Sequence, residues 1–161
     1  MTYHIVGDGP DRPRLEQLIR QAGLGQRVRV LGYLSESELR REYQAADLFV
    51  LPSRADPGTG EVEGFGLVYL EAAAWGKPAI GANCGGALDA IAHGETGLLI
   101  EPDCPGQLCA ALQSLLRNPD RAQQLGQRAR QRALTEFSWE RSAAALHTAL
   151  TQCLENNGGI A

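Results

Sequence analysis

The sequence predicts an α/β fold, a parallel sheet with helices on both faces. Three observations point to it. Short apolar runs of strand length alternate with longer segments of helical period. Five such runs are each followed by a helical segment, the pattern of βαβ units. Glycine-rich turns and the one long loop cluster after the strands rather than before them.

Residues 3–6 form the first apolar run, stopped by Gly7-Asp8-Gly9-Pro10. Leu15, Leu18, Ile19 and Ala22 then keep the i, i+3, i+4, i+7 spacing of an amphipathic helix, and Gly23 is a stop signal. Residues 28–31 give the second strand. Ser35-Glu36-Ser37-Glu38 reads as a capping box, in which the serine and the glutamate satisfy each other's backbone amides, and predicts a helix to about Ala45. Residues 47–51 predict a buried strand ended by Pro52. Residues 53–65 are polar and glycine-rich, without a period. A helix is expected from Gly66 to Trp75, a strand over 79–82, a short helix near 87–92 and a last strand over 97–100. Asp103 is the expected N-cap of a helix reaching Arg117. Asn118-Pro119 breaks that helix. The remainder is helical to about Glu155, interrupted near Phe137-Ser138.

A length of 161 residues fits one domain over residues 1–155, with a fraying tail at 156–161. The composition, 43% hydrophobic and 21% charged, is globular. Fourteen arginines and Lys77 stand against 19 acidic residues, a net charge of -4. A nucleic-acid partner is not expected, because phosphate neutralisation needs a basic footprint. No run approaches the ~18 apolar residues of a membrane span. The N-terminus has none of the features of a signal peptide. Cys84, Cys104, Cys109 and Cys153 make no CxxC pair and suit neither zinc nor a disulfide framework. Reduced thiols and a cytoplasmic location are expected.

In an open parallel sheet, ligands bind beyond the carboxyl ends of the strands. Gly7-Asp8-Gly9-Pro10 begins like a dinucleotide fingerprint. Arg12 stands where its third glycine would be, and no acidic residue closes the next strand, so a tight turn is the simpler account. Asn83-Cys84-Gly85-Gly86 is a second glycine turn from strand to helix. The strongest candidate is Glu63-Gly64-Phe65-Gly66-Leu67, with Glu71 beyond it. Glycines where a loop becomes a helix let backbone amides approach a ligand, and a helix amino end favours phosphate. Glu63 stands just ahead of that helix end, and Glu71 lies about two turns further in, roughly 8–10 Å along the axis at ~1.5 Å per residue. Carboxylates offer paired acceptors to vicinal hydroxyls. A nucleoside diphosphate sugar, with sugar and ribose on either side of a diphosphate, has the matching layout. The apolar neighbours of Glu71 lead to the expectation of a dedicated partner for it. His4, His93 and His147 are scattered and read as structural. The arginines between Arg117 and Arg141 read as a solvated helix face.

Glu63 and Glu71 are separated by seven residues, and EGFGLVYLEAAAWGKPAI resembles the E-x7-E segment of retaining GT-B glycosyltransferases of family 4 (group 1). The likeness extends through YHIVGDGP, RVRVLGYLSESELRREYQAADLFVLPS, GANCGGALDAIAHGETGLLIEPD and FSW, nearly the whole chain. Within the family it is most like the phosphatidylinositol-mannoside mannosyltransferase type. The resemblance implies a Rossmann-like domain, the C-terminal, donor-binding half of a two-domain GT-B enzyme that moves a hexosyl group, mannose by that likeness, with retention and without a metal or cofactor. It assigns Glu63, as the catalytic-centre residue, to hydroxyls of the transferred sugar. Gly64, Phe65, Gly66 and Leu67 fall to the donor sugar and phosphate, and Glu71 to the ribose. Gly7 falls to the nucleotide cleft, and Tyr33 and Leu34 to the base.

GDP-mannose is the favoured donor and a UDP-sugar the alternative. A second alternative is a non-catalytic nucleotide-sugar-binding or interaction domain. The N-terminal GT-B domain, with most of the acceptor site, is not in this chain, and any peripheral membrane contact would come through it. The loop bearing the family's phosphate-binding arginine and lysine is missing too. Lys77 lies on the opposite rim, and Arg54 is the candidate substitute. The family's strand order is 3-2-1-4-5-6, and its strand 1 is not here. The resulting gap is expected to close by direct pairing of the flanking strands or to be filled by another chain, as in a homo-oligomer.

Overall fold

The computed structural model describes residues 1–54, 58 and 64–157. The chain divides into two compact units, Met1–Ala45 and Ala46–Ala161.

The first unit carries strand β1 (Tyr3–Val6), helix α1 (Arg12–Gln21), strand β2 (Val28–Gly32) and helix α2 (Glu36–Ala45). The strands pair in parallel, Tyr3 with Val28 and Ile5 with Val30. The register slips between Ile5 and Val6, and the Gly7 amide then donates to the Gly32 carbonyl at 2.9 Å. The capping box of α2 forms as expected: the Ser35 amide donates to Glu38 Oε2 at 2.8 Å, and the Glu38 amide to Ser35 Oγ at 3.4 Å. The apolar stripe of α1 is not matched by a core. None of its residues is buried, and in the whole unit only Gly32 and Tyr43 are. Parallel strands are ordinarily covered on both faces. A sheet of two strands is too narrow for that, and Tyr3 and Val6 stay more than 40% exposed.

The second unit contains β3 (Phe49–Leu51), α3 (Leu67–Ala74), β4 (Ala79–Ala82), α4 (Ala87–Ala90), β5 (Gly97–Ile100), α5 (Pro105–Leu116), α6 (Pro119–Glu136) and α7 (Trp139–Asn157). Its sheet is parallel in the order β3-β4-β5, with Val50 opposite Ile80 and Ile80 opposite Leu98. Side chains alternate between the two faces of a strand, and the two cores follow that alternation. Ile80, Leu98 and Ile100 pack with Ala111 and Leu115 of α5 and Leu125 of α6. Ala79, Phe49, Leu51 and Leu99 pack on the other face with Tyr69 of α3, Ala87 and Ala90 of α4 and Ile91. Central β4 is buried throughout. Tyr69 is 1% exposed, and its hydroxyl donates to the Leu51 carbonyl at 2.5 Å. Helix α6 also crosses α3, bringing Ala129 and Ala133 onto Ala73. Gly126 makes the close approach possible, since a Cβ there would collide with the Gly76 carbonyl.

Among the described residues, the five strands form two sheets rather than one. Within each sheet the neighbours are those of the order 3-2-1-4-5-6 with strand 1 omitted. The third strand is shorter than residues 47–51 suggested and half-buried. Asp103 does not cap α5. Cys104 holds that position without a side-chain bond, and Asp103 takes a left-handed φ of 53°. Helix α7 is exposed along residues 139–155. No helix among the described residues is long and apolar enough to cross a membrane.

Candidate functional site

The loops at the carboxyl ends of β3, β4 and β5 make one rim of the second unit. Helix α3 begins there. Its N-cap is Gly66, in a left-handed conformation (φ 68°, ψ 54°), which has no side chain with which to cap the first turn. The Leu67 and Val68 amides have no partner within the helix, while Tyr69 N–H turns back to the Gly66 carbonyl at 2.8 Å. Glycine is required because a β-branched or bulky residue would be strained at that φ. The helix amino end therefore offers bare amides and a partial positive charge to an anion.

The second glycine turn abuts the first. Gly85 is left-handed (φ 55°) and opens the way to α4. A Cβ on Gly86 would collide with the Gly64 carbonyl and the Phe65 Cα. Two glycine turns that the sequence places twenty residues apart thus touch backbone to backbone. The rest of the rim is cross-tied. The Cys84 thiol donates to the Ser53 carbonyl at 3.4 Å, and Asn83 Nδ2 donates to Glu101 Oε1 at 3.0 Å. The Glu101 amide donates to Gln107 Oε1 at 2.8 Å. Arg54 Nη1 lies 3.6 Å from Asp103 Oδ1, both side chains about 70% exposed. Glycine spacing pointed to the two turns, whereas Asn83–Glu101 and Arg54–Asp103 join different loops and have no local pattern.

Of the residues singled out by sequence, Arg54, Gly64, Phe65, Gly66 and Leu67 stand on this rim. Glu71 follows on α3, exposed, about 6 Å along the axis from Leu67 at ~1.5 Å per residue. Glu63 lies outside the described residues. Gly7, Tyr33 and Leu34 belong to the first unit, at the carboxyl ends of its strands. Gly7 has φ 117°, and Tyr33 is 83% exposed. Lys77 is on the opposite rim, as expected. It helps line a hollow of about 360 Å³ with Leu48, Pro78, Leu115 and Pro119. His93 is structural: its Nδ1 accepts the Leu99 amide at 2.9 Å. The four cysteines are free thiols.

One arginine departs from the solvated-face expectation. Arg132 of α6 reaches across to α4, donating to the Ala90 and Asp89 carbonyls at 3.1 and 3.0 Å. Its guanidinium lies 5.0 Å from the Phe137 ring centroid, and that ring is 5.6 Å from Phe65.

A parallel sheet with helices packed on both faces and a glycine-started helix on its carboxyl rim defines an α/β domain of the doubly covered parallel type. The chain belongs to the family described as glycosyl transferases group 1, whose model matches residues 1–132. It is 34% identical over 142 residues to the GDP-mannose-dependent alpha-(1-6)-phosphatidylinositol monomannoside mannosyltransferase of Mycobacterium tuberculosis. That match covers 88% of this chain, which spans only 37% of the length of the relative. Sucrose-phosphate synthase from Thermosynechococcus elongatus superposes with a TM-score of 0.81 at 33% identity, over 95% of this chain and 38% of that one. Anabaena HepE in complex with UDP-glucose gives a TM-score of 0.81 at 26% identity, over 94% and 41%.

Proposed function

We propose that this chain is the donor-binding half of a retaining glycosyltransferase, taking a hexosyl group, mannose, from a nucleoside diphosphate sugar. The observation that carries the reading is the uncapped amino end of α3 behind left-handed Gly66, packed on the Gly86 turn. The Leu67 and Val68 amides hold the diphosphate, and Arg54 adds charge from the same rim. Glu71 accepts from the ribose hydroxyls and Glu63 from the sugar. As the bond to the sugar breaks, negative charge grows on the leaving diphosphate. Fixed amide dipoles at that point lower the barrier without reorganising. Neither glutamate needs to attack the sugar.

GDP-mannose is favoured because the mannosyltransferase relative is GDP-mannose-dependent, and a UDP-sugar is the alternative because HepE was captured with UDP-glucose. An N-terminal GT-B domain supplies the acceptor site, in keeping with the 37% share of the relative that this chain spans. Retention, independence of metal and a cytoplasmic setting are parts of the same reading. So is a division into one nucleotide-sugar domain over 1–155 and a tail.

Calorimetric titration of the chain with GDP, UDP and GDP-mannose in the presence of a chelator tests donor binding. Micromolar to millimolar affinity is expected, about -8 to -4 kcal/mol. Supplying an N-terminal group 1 domain in trans then tests transfer. Binding without transfer would favour the non-catalytic module, and no binding would remove the proposal.

A further inference from the structure

The geometry points to Arg132 as a positioning residue for the donor site: one guanidinium braces both glycine turns at the amino end of α3. The inference rests on the donor-site reading for its functional consequence, and on contacts alone for its structural one. Helix α4 is a single turn, Ala87–Ala90. A helix that short does not hold itself together, so its place is set by what packs on it. Arg132 Nη1 and Nη2 take its Ala90 and Asp89 carbonyls, groups left unpaired at a helix end. The same guanidinium lies over Phe137, whose ring meets Phe65 between Gly64 and Gly66. Its Nε is held by Glu136 at 2.9 Å.

The load therefore reaches both sides of one contact. On one side, Arg132 fixes α4 and, three residues before Ala90, the start of the helix beside Gly86. On the other, it fixes Phe137 and through it Phe65. Gly86 and Gly64 meet between them without room for a Cβ. If α4 slid outward, the Gly64–Gly66 turn would lose its floor and the α3 amides their aim. Lysine cannot replace this arginine, because a point charge can neither fork to two successive carbonyls nor stack flat on a ring.

The test compares Arg132→Lys and Phe137→Leu with the wild type, by amide hydrogen exchange and by calorimetry with a nucleoside diphosphate and its monophosphate. Exchange in residues 64–68 and 84–88 is expected to quicken about tenfold while β4 and β5 keep their protection. Diphosphate affinity is expected to fall about tenfold with monophosphate affinity within about twofold, which general destabilisation would not produce. Wild-type exchange and wild-type diphosphate affinity in a folded Arg132→Lys protein would overturn the inference, and Phe137→Leu decides if that variant does not fold. A wild-type chain that binds no diphosphate would remove the donor-site reading, and the exchange pattern would still decide the brace.

Discussion

Gly86 and Gly64 meet backbone to backbone, so closely that a Cβ on Gly86 would collide with the Gly64 carbonyl and the Phe65 Cα. Gly86 itself has an ordinary helical conformation (φ -70°, ψ -6°). Its requirement for glycine is therefore one of space, not of backbone freedom. The contact joins the loop before α3 to the turn before α4, and so fixes the shape of the rim.

Gly86→Ala tests that contact. The obstacle is backbone, which cannot rotate away as a side chain can. Overpacking of this kind costs about 1–3 kcal/mol, and here both turns must also shift. A lowered melting temperature and loss of nucleoside diphosphate binding are expected. Gly106→Ala is the control: it lies in α5 with nothing within 4 Å of a Cβ. It should leave binding unchanged and be neutral or stabilising by up to about 1 kcal/mol.

Tyr69→Phe tests the anchoring of α3 to the sheet. The ring is buried edge-on to Phe49, 5.7 Å between centroids at 87°, and should stay there. Only the hydroxyl is lost, which strips the Leu51 carbonyl of this donor. Denaturant unfolding should show a loss of about 1–3 kcal/mol, the cost of an unmet buried group. An unchanged midpoint would mean that water takes the place of the hydroxyl.

The start of α2 carries a pH dependence. The Ser35 hydroxyl, and after it the Ser35 amide, hold the Glu38 carboxyl below its ordinary value of 4.5. A carboxylate whose folded value is depressed contributes stability above the ordinary glutamate range, and that contribution is lost as pH falls through the folded value. Carboxyl-carbon NMR titration should place the Glu38 midpoint below 4.5, and Ser35→Ala, which removes the hydroxyl but keeps the amide, should raise it part of the way back.

What the sequence made legible was what it writes locally. The Ser35–Glu38 box lies within four residues, and its bonds form as the pattern demands. The five strands and the break at Phe137-Ser138 are likewise set by nearby residues. The failures are long-range. Arg132 looked like one of a run of solvated arginines because its partner, Ala90, lies 42 residues away. The stripe on α1 predicted a buried face, yet burial needs a sheet wide enough to receive it, and β1 and β2 alone are not. Asp103 has the right chemistry for an N-cap but takes a left-handed turn instead. At the site, glycine spacing revealed the α3 start, whereas the contact of its turn with Gly86 needed three dimensions. The role of Glu63 rests on the resemblance.

The most direct test of the central claim is an amide NMR titration of the chain with a nucleoside diphosphate. The account predicts that the largest shifts fall on Gly66, Leu67 and Val68, and that Glu71→Ala weakens binding by about 1–3 kcal/mol without moving their place. Shifts confined to the opposite rim, around Leu48, Lys77 and Pro119, or an affinity unchanged by Glu71→Ala, would contradict it.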